Sequence, residues 1–220
     1  LAEMFGSKRI LPAAMRFVDI AGLVAGASKG EGLGNKFLSH IRQVDAIAQV
    51  IRCFDDPNIT HVAGSVDPVR DIEIINTELC LADLESVDKR LQRIAKLAKS
   101  GDKDARVEAP ILEKVSAALG DAIPVRAQGL TEDELEILKD LTLLTAKKSL
   151  YVANVGEDEV SDYSGNEFVK QVEDYAAKEG SGVVVVSARI ESEIAELSDE
   201  EATAFLADLG LEESGLTKLI

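Results

Sequence analysis

Four short apolar runs, at residues 16–20 (RFVDI), 46–52 (AIAQVIR), 149–154 (SLYVAN) and 182–187 (GVVVVS), dictate the kind of sheet this chain can build. None alternates apolar with polar side chains. Strands without alternation belong to parallel sheets covered on both faces. Stretches of helical periodicity separate them, at 35–43, 71–82, 166–179 and 198–208. The last opens with Ser198 and carries Glu201 three residues on, a capping box. Strand alternating with helix predicts an α/β fold with a mainly parallel sheet.

Residues 83–145 break that rhythm, because they contain no convincing strand. Leu84, Val87, Leu91, Ile94 and Leu97 recur at helical steps and form one apolar stripe. Ser100-Gly101-Asp102 reads as a turn, and Val107, Ile111, Val115 and Leu119 make a second stripe. Thr131 with Glu134 caps a third helix. The pattern predicts an antiparallel helical hairpin inserted into the α/β domain. Pro110 falls within the second stripe and should kink that helix or mark its start.

Charge narrows the partners. The chain carries 24 basic and 40 acidic side chains, a net charge of −16. So acidic a surface repels phosphate backbones as a whole, which argues against DNA as a partner. The charge is uneven, however. Residues 86–115 hold 8 basic side chains against 5 acidic, a positive island that is either a solvated helix face or a contact for RNA. No run approaches the eighteen apolar residues of a membrane span. Cys53 and Cys80 stand singly, with only His40 and His61 to help, so the expectation is reduced thiols in a cytoplasmic protein.

The most informative residues follow the first apolar run: Asp19-Ile20-Ala21-Gly22, then a stretch containing Gly26, Gly30, Gly32 and Gly34. Open α/β sheets bind ligands at the C-terminal ends of their strands. P-loop NTPases use Asp-x-x-Gly there: the Asp holds Mg2+ through a water, and the Gly N–H touches the γ-phosphate. A tight turn whose Asp caps the next element has the same four residues. Gly30-Glu31-Gly32-Leu33-Gly34 has the wrong spacing for a dinucleotide fingerprint. Two further signals sit at later strand ends: Asn154-Val155-Gly156-Glu157, and Ser187-Ala188. An Asn and a carboxylate three residues apart suit a purine base, with Ser-Ala backbone lining the opposite side. Guanine reading wants Asn-Lys-x-Asp, so Val155 and Glu157 put guanine selectivity in doubt.

VDIAGLVAGASKGEGLGNKFL, DAIAQVIRCFDDPNITHVAG, INTELCLADL and YVANVGED together resemble the Obg-like ATPases, in particular the YchF subfamily, and the resemblance runs from residue 1 to residue 220. It implies a P-loop NTPase of the translation-factor class, with a G domain over 1–82 and 146–220 and an inserted coiled-coil domain over 83–145. It also implies Mg2+, a preference for ATP over GTP, association with ribosomes or ribosomal RNA, and a cytoplasmic place. Asn154, Val155 and Glu157 match the subfamily's base motif, and Val155 would offer its backbone to adenine. The resemblance puts a proposed catalytic histidine at His61, where the residue after Asp-x-x-Gly is Leu23 instead of a water-orienting Gln. Family members open with a GxxNVGKS phosphate loop and close with a small β-rich TGS domain. No G-x-x-x-x-G-K-[ST] occurs among these 220 residues, so they read as an internal piece expected to bind ATP weakly alone. The rival expectation is a non-catalytic module that docks through its helical hairpin.

Overall fold

A computed structural model describes residues 15–20, 33–59 and 64–219. Three strands form its sheet: β1 (Ala46–Arg52), β2 (Lys148–Asn154) and β3 (Gly182–Val186), paired in that order and all parallel. Register sets Gln49 beside Tyr151, and Tyr151 beside Val183, so one face carries Ile47, Gln49, Ile51, Tyr151 and Ala153. That face packs on α2 (Pro68–Lys99) and α5 (Glu167–Glu179), joining Ile72, Val169, Val172 and Ala176 in one cluster. At the other face α8 (Gly215–Leu219) meets β3 so closely that a Cβ on Gly215 would lie 2.5 Å from Val186 Cγ1. Only glycine fits there.

Two expectations about the sheet need correction. Residues 16–20 form no strand: they have no regular secondary structure, and residues 15–19 are exposed. A strand needs a neighbour for its backbone hydrogen bonds, and every described ladder joins β1, β2 and β3 to one another. Nor is β1 covered on both faces. Gln49 and Ile51 are buried, whereas Val50 between them is 66% exposed. β1 stands at the edge of the described sheet and has helices on one side alone.

The link from β1 to β2 contains the helical hairpin. Asp67 caps α2 by accepting from Arg70 N at 3.1 Å, and Pro68 takes a first-turn place that needs no N–H. α2 runs 32 residues without interruption. Gly101 turns the chain with a φ of +98°, which a side chain resists, and Asp102 caps α3 (Lys103–Gly120) at 2.8 Å. The two helices then run antiparallel: Asp88 accepts from Ser116, Glu108 from Arg90, and Ala98 O from Arg106. Val87, Ile94, Leu112, Val115 and Leu119 fill the seam, and Leu138 of α4 (Glu132–Leu138) closes it. Pro110 does not begin α3; it lies inside the helix, which begins at Lys103 with Asp102 as its cap. The capping boxes expected at Thr131 and Ser198 both form, the second opening α7 (Asp199–Asp208).

Two polar joints bind the hairpin to the sheet. Fully buried Asp83 accepts from Leu144 N at 2.8 Å, Thr145 N at 2.7 Å and Thr145 Oγ1 at 2.7 Å. Burial pushes its carboxyl pKa up, and those three donors oppose the shift. In the second joint Arg126 pairs with Glu179 at 2.9 Å, with only 8% of either side chain exposed. Asn76 of α2 completes it: its Oδ1 accepts from Arg126 and Gln49, and its Nδ2 donates to Tyr175 OH.

Candidate functional site

All three parallel strands point their C-terminal ends at one cleft of about 770 Å³. Its wall begins where β2 ends. Asn154 Oδ1 accepts from Ala188 N at 2.8 Å, tying the end of β2 to the first turn of α6 (Ala188–Ile194). Val155 is buried and continues the β2–β3 ladder by donating its N–H to Val186 O at 2.9 Å. Ser187, also buried, is the N-cap of α6. The turn at Gly156 leads to Glu157, whose carboxylate accepts from Arg189 Nε at 2.8 Å on the rim. Cleft and strand ends coincide because a parallel sheet aligns every crossover on the same edge.

The floor is braced by Asn166. Its Oδ1 caps α5 through Phe168 N and Val169 N, while its Nδ2 donates to Cys53 O at 2.9 Å and to Glu159 Oε2. Cys53 itself is fully buried, and burial, reinforced by the Glu159 charge, pushes its thiol pKa up to about 12. A thiol held protonated in this way is no nucleophile. On the β1 side, Arg52 donates to Phe54 O and Ile59 O, both at 3.0 Å, and its guanidinium lies 4.7 Å above the Phe54 ring. That single side chain organises the loop running toward His61.

The chemistry of relatives can now be set beside this geometry. No family model matches the chain. A ribosome-binding ATPase YchF of Bacillus subtilis is 58% identical over all 220 residues. Over its whole length the chain is similar to YchF proteins. Proteins of the same name in Haemophilus influenzae and Escherichia coli O157:H7 are 54% and 51% identical over the whole chain. The chain spans 60% of the length of these curated relatives. A solved structure described as the Schizosaccharomyces pombe YchF GTPase superposes on 99% of the chain with a TM-score of 0.81 at 37% identity, the chain covering 59% of it. The fold is accordingly that of a P-loop NTPase G domain with a helical-hairpin insertion.

Of the residues singled out by sequence, the fold brings Asn154, Val155, Glu157, Ser187 and Ala188 to one end of the sheet. Asp19 is described and exposed, and does not line the cleft. Gly22 and His61 lie outside the described residues. Sequence reasoning missed Arg52, Asn166 and Arg189. Asn166 and Arg189 reach partners far along the chain, Cys53 and Glu157, which no spacing rule reveals, whereas Arg52 bonds carbonyls of the loop that follows it, those of Phe54 and Ile59. Asn166 alone left a trace, since it stands just before a helical stretch as an N-cap does.

Proposed function

We propose that this chain is the nucleotide-binding core of a ribosome-associated ATPase that cleaves ATP, and GTP less well, to the diphosphate and phosphate. The observation that carries the proposal is the meeting of Asn154, Val155, Glu157 and Ser187 in one cleft at the ends of parallel strands, with Ala188 tied to Asn154 beside it. The relatives' name, ribosome-binding ATPase, agrees with it. In this reading 1–82 and 146–220 make up the G domain and 83–145 the inserted domain. The base lies along Asn154, Val155 and Glu157. Gly22 meets the γ-phosphate.

Among the described residues no three His, Cys, Asp or Glu side chains gather into a metal cage. A lone exposed carboxylate such as Asp19 nevertheless suits Mg2+, which keeps most of its waters and takes its other oxygens from substrate phosphates. Asp19 would hold the ion through a water, and when bound the ion supplies charge neutralisation along the phosphates. His61 orients the water whose oxygen bonds to the γ-phosphorus as the bond to the β–γ bridging oxygen breaks. The exposed cations Arg93, Lys96 and Lys99 within 86–115 face ribosomal RNA, and the protein works in the cytoplasm. Residues 1–220 alone lack the lysine of a phosphate loop and bind Mg-ATP weakly.

The test is calorimetric titration of the full-length polypeptide with Mg-ATP. Asn154→Ala should weaken binding by about tenfold, through loss of the Asn154 contact to the base and of the hydrogen bond that holds Ala188 N at the start of α6. An unchanged dissociation constant would move the nucleotide out of this cleft.

A further inference from the structure

The carboxylate at the cleft rim is already engaged. Glu157 Oε1 accepts from Arg189 Nε at 2.8 Å, and Glu193 Oε1, one turn along α6, stands 3.8 Å from the same nitrogen. Arg189 is the residue after Ala188, whose N–H is held by Asn154, so the helix start that frames the cleft also aims the guanidinium at Glu157.

We propose that Arg189 sets the base preference of the site by masking Glu157. The inference rests on the nucleotide-binding reading above. Guanine presents two donors, N1–H and N2–H, on the edge that must meet an acceptor, and a free carboxylate accepts both. Glu157 Oε1 is already engaged by Arg189, so guanine must compete with an ion pair. Adenine makes no such demand. Its N1 is an acceptor and asks nothing of a carboxylate, and its N6 amino group needs one acceptor only, which Glu157 Oε2 can supply. The arginine therefore acts against guanine through Glu157, the opposing element that selectivity usually requires. The side chain is 73% exposed and Glu157 42%, so the pair is of the weak, solvent-screened kind and its effect is graded instead of absolute.

The experiment uses the full-length polypeptide with Mg2+ and fluorescent mant-ATP and mant-GTP. Arg189→Ala should lower the ATP-over-GTP affinity ratio by about two- to fivefold, the range of an exposed ion pair, chiefly by improving GTP. Because Arg189 acts through Glu157, the same change made on a Glu157→Ala background should leave the ratio where Glu157→Ala alone puts it. A structural defect in α6 would weaken both nucleotides together and would not vanish on that background. A ratio unmoved by Arg189→Ala, while Asn154→Ala weakens both nucleotides, overturns the role of Arg189 and leaves the base site standing. Wild-type affinity for both nucleotides in Asn154→Ala and Glu157→Ala alike removes the base site and the masking with it.

Discussion

Leu23 carries no hydrogen-bonding group, so a protein that hydrolyses ATP here must orient water from elsewhere. The loop that Arg52 organises is followed in sequence by His61, whose imidazole can hydrogen-bond water. In the full-length polypeptide His61→Ala should lower kcat by about tenfold or more and leave the ATP dissociation constant nearly unchanged. Normal turnover in that variant would return the histidine to ordinary loop. The two thiols make a different prediction. Burial, first among the causes at both, pushes Cys53 and Cys80 up to about 12, against about 9 for an unperturbed thiol. Between those values the native state keeps protons that the unfolded chain has released. Stability is therefore intact below pH 9 and falls as pH rises toward 12. Urea melts at pH 8 and pH 10.5 should show the drop, and Cys53→Ala should flatten its slope with pH. A slope identical in the variant and the parent removes Cys53 from the effect.

Along elements, six of the eight cations of the basic island fall into two groups. Lys89 pairs with Glu85, Arg90 with Glu108 and Lys114 with Glu134, so these belong to the bundle itself. Arg93, Lys96 and Lys99 are exposed near the hairpin tip, beside Leu97 and Val107, two apolar side chains left in water. Changing those three cations to Glu should weaken ribosome co-sedimentation steeply and reduce its salt dependence, with ATP turnover in the absence of ribosomes retained. Binding that ignores both the reversal and added salt would make them a solvated face. Helices and caps were readable beforehand because their signals are local: a 3.6-residue stripe, or Ser198 with Glu201, is complete within one turn. Strands were readable only where they found neighbours. RFVDI has the composition of a buried strand and no partner among the described residues, so composition misled. AIAQVIR gave no sign that Val50 would face solvent while Ile51 did not, since both are equally apolar. The strand-end residues Asn154, Val155, Glu157, Ser187 and Ala188 stood out by motif; Asn166 and Arg189 beside them act through contacts made only after folding.

Over the whole molecule, hairpin and sheet are fastened by buried polar groups that leave little room for error. Removing one partner of a buried ion pair strands the other, at a cost of about 3–5 kcal/mol. Arg126→Met should therefore destabilise the protein by about that much in chemical denaturation, and adding Glu179→Gln should restore a large part of it. A single variant within about 1 kcal/mol of the parent would mean that water reaches this joint and relieves it. The joint also has a mechanical side. α2 crosses from Ile72, buried against the sheet, to Lys99 at the hairpin tip as one unbroken rod. From Asn76, where the polar joint grips it, to Lys99 is about 35 Å at 1.5 Å per residue. The joint is the fulcrum and the sheet end the short arm. A tilt of about 5° at the sheet, smaller than the scatter among packed helices, sweeps the basic tip through about 3 Å, enough to make or break a hydrogen bond with whatever it touches. The length of one uninterrupted helix thus turns an adjustment beneath the sheet into a stroke at the far end.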